Sequence, residues 1–131
     1  MNKLEVKNIS KSFDGKPVLK DVSVELNRGE LVCLLGVSGG GKTTLFNIIS
    51  GLLTPDSGQI LLDGEDITNQ SGHISYMLQK DLLLPYRTIE DNAALPLLLK
   101  GIKKKEARRQ VSPMFSQFGL EGTQKKYPAQ L

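Results

Sequence analysis

The stretch Gly36-Val37-Ser38-Gly39-Gly40-Gly41-Lys42-Thr43-Thr44 constrains this chain more than any other. Ahead of it, Glu30 to Leu35 is a short apolar run, rich in branched residues, that reads as a buried strand. Behind it, Leu45 to Leu53 places apolar residues at helical spacing, with Gly51 where a C-cap belongs. The glycine-rich segment therefore sits between a strand and a helix. That is the context in which G-x-x-x-x-G-K-[ST] forms a phosphate-binding loop.

The residue types follow from the chemistry. A triphosphate carries several negative charges, and a loop that binds it must wrap closely. Side chains would hold the backbone away, so Gly39, Gly40 and Gly41 let N–H groups point inward as an anion nest. The helix that follows presents its positive end to the same phosphates. Lys42 reaches the β- and γ-phosphates as a mobile point charge. Thr43 offers a hydroxyl to Mg²⁺, and Thr44 one to an α-phosphate oxygen. The alternative is a glycine-rich turn that contains a lysine by chance, and the flanking elements argue against it.

Composition bounds the rest. The 131 residues are 39% hydrophobic and 24% charged, enough for one small domain with a core rather than a disordered chain. A net charge of +3 is too small to imply nucleic acid. Cys33 is the sole cysteine and falls in the apolar run, where it reads as a small core side chain. One cysteine permits no internal disulfide, which fits a reducing cytoplasm. The N-terminus turns charged and alternating at once, unlike a secretion signal. The longest leucine runs are closed by Pro85, Pro96 and Lys100, well short of a membrane span.

In chain order, Leu4 to Ile9 alternates apolar and polar residues as a half-exposed strand. Ser10 to Pro17 reads as a turn cluster carrying Phe13, which either stacks on an adenine ring or covers the edge of the β layer. Val18 to Leu26 alternates again, and Asn27 to Glu30 is a tight turn. Gln59 to Leu62 is a short strand ending in an Asp63-Gly64 turn, and His73 to Leu78 reads as another strand. His73 has no cysteine or carboxylate cluster beside it, so a metal or base role is not expected. Gln79 directly follows that strand. It either touches the metal or orients a water, or is an ordinary loop amide. The loop Leu82 to Arg87 is unusually apolar and is either a partner contact or a loop packed back on its own domain. Thr88 caps a helix with acids in its first turn, running to about Leu99 and stopping at Gly101. A second helix starts near Lys103 and ends near Gly119; its basic cluster reads as a solvated face.

These motifs together resemble the ATP-binding subunits of ATP-binding cassette (ABC) transporters. Gly36 to Thr44 is similar to their Walker A loop, Ser10 to Phe13 to their adenine-stacking loop, and Tyr76 to Gln79 to their Q-loop strand. Leu82 to Asn92 is similar to the stretch that opens their helical subdomain and faces the membrane partner. A weaker likeness is to importers of nitrate, sulfonate, taurine or pyrimidine precursors. The resemblance implies an α/β fold: a P-loop NTPase core with an N-terminal antiparallel β layer over about residues 1–87, and the start of a helical subdomain over about 88–131. It implies ATP and Mg²⁺ as cofactors, with Phe13, Val18, Gly36, Ser38, Gly39, Gly40, Gly41, Lys42, Thr43 and Thr44 on the nucleotide. It places Thr43 and Gln79 on the metal, and Lys42 and Gln79 in catalysis. It implies a permease partner reached through about Gln79 to Asn92, a second ATP-binding subunit, and a place on the cytoplasmic face of the membrane. Tyr127 to Leu131 is similar to the lead-in to the family's signature, so the Walker B aspartate, catalytic glutamate and switch histidine are expected beyond these residues. The alternatives are a nucleotide-binding module without turnover, and another P-loop NTPase.

Overall fold

A computed structural model describes residues 2–36, 40–78 and 80–131. The chain divides into two compact units, Met1–Met77 and Leu78–Leu131, each with its own core.

The first unit is an antiparallel sheet with a helix against it. β1 (Asn2–Phe13) and β2 (Lys16–Asn27) form a long hairpin, β3 (Ser57–Leu62) pairs with the other side of β1, and β4 (Glu65–Asp66) closes the order β2-β1-β3-β4. This is the expected β layer, but β1 runs on through Ser10 to Phe13, so the hairpin turn shrinks to Asp14 and Gly15. Asn8 and Asp21 share a bulge. Both adopt φ near +50°, and Asn8 Nδ2 donates to Asp21 Oδ1 at 2.7 Å. The side chains of Ser10 and Ser23 take the backbone N–H groups of Asp21 and Asn8, replacing ladder bonds that the bulge removes.

Val6 pairs with Ile60 across β1 and β3, and the register shift at the Asn8 bulge brings Ile9 into the same core cluster where strict alternation would turn it away. The first helix, α1 (Lys42–Ile49), lays Leu45 and Ile48 into the same cluster with Leu19 and Ile67. Helical spacing continues to Leu53 in the sequence, yet α1 ends at Ile49. Gly51 takes φ +84° just past its cap at Ser50, with no room for a side chain because a Cβ would lie 2.2 Å from the Gln70 carbonyl oxygen.

Two expected strands do not form. Glu30 to Leu35 and His73 to Leu78 carry no ladder bonds to any described residue. A strand buried on both faces needs neighbours that supply N–H and C=O groups along both edges. Without them Leu31 is 89% exposed and Leu35 97%, and Cys33 is exposed rather than a core side chain.

The second unit is a helical hairpin. α2 (Ile89–Leu99) and α3 (Lys104–Gln117) meet through Ala94 and Ala107, both fully buried, whose small side chains let the helices approach. Ala107, Val111 and Phe115 form the i, i+4, i+8 stripe of α3. A short 3₁₀ turn, Pro128–Gln130, follows. No helix among the described residues is long and apolar enough to cross a membrane.

Candidate functional site

Lys42, Thr43 and Thr44 form the first turn of α1. Every α-helix begins with N–H groups that lack intrahelical acceptors. In α2 the fold supplies them: the amides of Ile89 and Glu90 donate to the carbonyls of Lys126 and Gln124, and Asp91 donates to Thr88 Oγ1. The start of α1 is built differently. Its cap is Gly41, which has no side chain to accept, and no acidic residue sits in the first turn. Among the described residues no side chain caps these amides, an arrangement that suits an anion at the positive end of the helix.

Gly41 is fixed by packing as well as by turn geometry. It has φ +93°, and a Cβ there would lie 3.0 Å from Val18 Cγ1 and 3.1 Å from both Leu19 Cδ2 and the Val18 carbonyl oxygen. Glycine at this position thus lets the loop seat against β2. Val18 touches the loop itself, at the hairpin end that also carries Phe13. Lys42 folds across the loop, donating from Nζ to the Gly36 carbonyl oxygen at 2.5 Å, with its Cδ 3.7 Å from where a Gly36 Cβ would stand. The lysine therefore spans the two ends of the motif. Gly40 and Thr43 are exposed and Thr44 is half-buried. Ser38, Gly39 and Gln79 lie outside the described residues.

Phe13 ends β1 with its ring 43% exposed and the Lys11 ammonium 5.4 Å from the ring centroid. Its strand end is braced by Asp56, which sequence reasoning did not single out. The carboxylate accepts from the Ser12 N–H at 2.7 Å and from Lys11 Nζ at 3.3 Å, while the Asp56 N–H donates to the Ser10 carbonyl. The Ser12 N–H above all, and then Lys11, hold the Asp56 carboxyl below the ordinary range against a desolvation that raises it. The only sequence signal was a Pro-Asp-Ser-Gly turn, which says nothing about which strand it braces.

His73 Nε2 lies 3.1 Å from Gln70 Oε1, a local contact. Among the described residues no cluster of three or more His, Cys, Asp or Glu side chains could hold a metal. A Mg²⁺ ion bound largely through phosphate oxygens and one hydroxyl fits this donor set, and Thr43 supplies such a hydroxyl. The loop likewise fits a nucleotide's phosphates, with glycine backbone, a helix start capped by glycine rather than by a side chain, and a lysine in place.

A glycine-capped helix start bridged by its own lysine, beside an antiparallel β layer, defines a phosphate-binding-loop protein of the α/β class. The sequence profile of the ABC transporter family matches residues 19–131, and the chain belongs to that family. It is 38% identical to the ABC transporter ATP-binding protein YtrE of Bacillus subtilis over 98% of this chain and 63% of that protein. It is 39% identical to the taurine import ATP-binding protein TauB of Escherichia coli O157:H7 over 98% of this chain and 50% of that protein. Among solved structures, it superposes on the dimeric ATP-binding cassette MJ0796 in a post-hydrolysis state bound to ADP and Pi. There the TM-score is 0.83 at 28% identity, covering 98% of this chain and 62% of that one. The chain spans about half to five-eighths of the length of these relatives.

Proposed function

We propose that this chain binds the triphosphate of ATP, with Mg²⁺, at the loop Gly36 to Thr44 as part of the ATP-binding subunit of an ABC-type importer. The observation that carries the reading is the start of α1: a glycine cap, no acid in the first turn, and Lys42 drawn across to Gly36. Gly40 and Gly41 bring backbone N–H groups close, with Ser38 and Gly39 completing the loop. Lys42 neutralises the outer phosphates, Thr44 bonds an inner one, and Thr43 holds the metal with Gln79. Phe13 stacks on the adenine, and Val18 supports the loop beneath it. Bound Mg²⁺ supplies charge neutralisation of the phosphates during hydrolysis.

The likeness to TauB supports an importer. In the proposed assembly the residues from about Gln79 to Asn92 meet a transmembrane permease. A second ATP-binding subunit completes the site, and the pair sits on the cytoplasmic face of the membrane.

The test is equilibrium binding of Mg-ATP to this chain. Lys42→Ala is expected to weaken binding at least tenfold, and undiminished affinity in that variant overturns the assignment. Tighter binding of GTP than ATP would favour another P-loop NTPase instead.

A further inference from the structure

The first turn of α2 carries a side chain that the helix does not need. Asn92 Oδ1 accepts from the Leu84 N–H at 2.7 Å. Its Nδ2 lies 3.1 Å from the Leu84 carbonyl oxygen, 3.2 Å from that of Arg87 and 3.1 Å from that of Thr88. Capping of α2 is already met by Thr88, Lys126 and Gln124. One amide thus serves both backbone groups of Leu84 and two further carbonyls, all on the loop before the helix.

The same loop exposes large apolar side chains. Leu82 is 74% exposed and Tyr86 71%. Among the described residues its backbone is otherwise held by local bonds, the Arg87 N–H to the Leu84 carbonyl and the Leu83 N–H to Asp81 Oδ1. A loop ordered before binding spares the complex the cost of ordering it afterwards.

We propose that Asn92 is a positioning residue: its amide clasps the segment from Leu84 to Thr88, so that Leu82 and Tyr86 are presented to the permease in a preset shape. This rests on the docking reading under Proposed function. Intrinsic propensity sharpens the claim. Alanine is a better helix former than asparagine, so Asn92→Ala strengthens α2 while releasing the loop.

Three variants of this chain test it, read by amide hydrogen exchange and by flotation with inverted vesicles from the native membrane, protease-stripped vesicles serving as control. In Asn92→Ala, exchange at Leu84 is expected to rise at least tenfold, with the amides of α2 beyond its first turn exchanging no faster and vesicle binding weakened. Asn92→Asp keeps an oxygen to accept from the Leu84 N–H but loses the Nδ2 donor to the Leu84, Arg87 and Thr88 carbonyls, so its Leu84 exchange is expected to lie between those of the parent chain and Asn92→Ala. The double variant Leu82→Ser/Tyr86→Ser is expected to keep parental exchange at Leu84 and lose vesicle binding. Unchanged Leu84 exchange in Asn92→Ala overturns the clasp. Raised exchange with full vesicle binding in Asn92→Ala overturns its positioning role. Full binding by the double variant overturns the docking reading itself, whatever Leu84 does.

Discussion

Gly41 carries two constraints at once, a left-handed backbone and a wall of β2 atoms within about 3 Å of any added Cβ. Gly41→Ala is therefore expected to cost about 1–2 kcal/mol from the backbone alone, read as a lower urea midpoint. It is also expected to lose Mg-ATP binding, because the loop must back away from Val18. Asp56 acts on the other half of the proposed site. Removing it frees the Ser12 N–H and Lys11 beside Phe13. Asp56→Ala is thus expected to weaken ATP several-fold but leave inorganic tripolyphosphate binding unchanged, and competition titrations with the two ligands separate these outcomes. Equal losses for both would place Asp56 outside the adenine side.

The α2–α3 hairpin is held by an ion pair as well as by its apolar stripe. Arg108 donates from Nε to Asp91 Oδ1 at 2.8 Å and from Nη2 to Oδ2 at 3.0 Å, with Lys104 at 3.5 Å. Asp91 is only 8% exposed, and hydrogen bonding from Arg108 above all holds its carboxyl below the usual 3.8, against the desolvation that raises it. A carboxyl lowered by folding stabilises the folded state above its unfolded value and loses that contribution as pH falls through the lower, folded one. Helix signal is therefore expected to fall as pH drops below about 3.8 in the parent chain, and Arg108→Ala is expected to lose stability at neutral pH with a flatter acid profile. Phe115→Ala, which empties the core of this unit, is expected to cost about 3–5 kcal/mol in a urea melt of the helical signal. These helices were legible beforehand: Thr88 as cap, Glu90 and Asp91 in the first turn, and the stripe of α3 are signals carried within each segment. The β hairpin was legible too, through alternation in Leu4 to Ile9 and Val18 to Leu26 and the turn cluster between them. Glu30 to Leu35 and His73 to Leu78 were misread because an apolar run records what a strand would bury, not whether another strand lies alongside. The Asn92 clasp and the Asp56 brace escaped notice for a related reason: each joins a side chain to backbone whose position only folding decides.

At the scale of the whole molecule, each of the two units buries a core of its own. The run Leu31 to Leu35, which pairs with no strand among the described residues, exposes Leu31 and Leu35. Cys33 is expected to react with a thiol reagent to one equivalent without denaturant, and failure to react would show the run covered. Leu35→Lys is expected to lower light scattering at a given protein concentration, since a charge on an open backbone edge discourages edge-to-edge pairing. That run is also short and almost wholly aliphatic, so any surface that covers Leu31 and Leu35 takes a block of apolar area out of water in a single step.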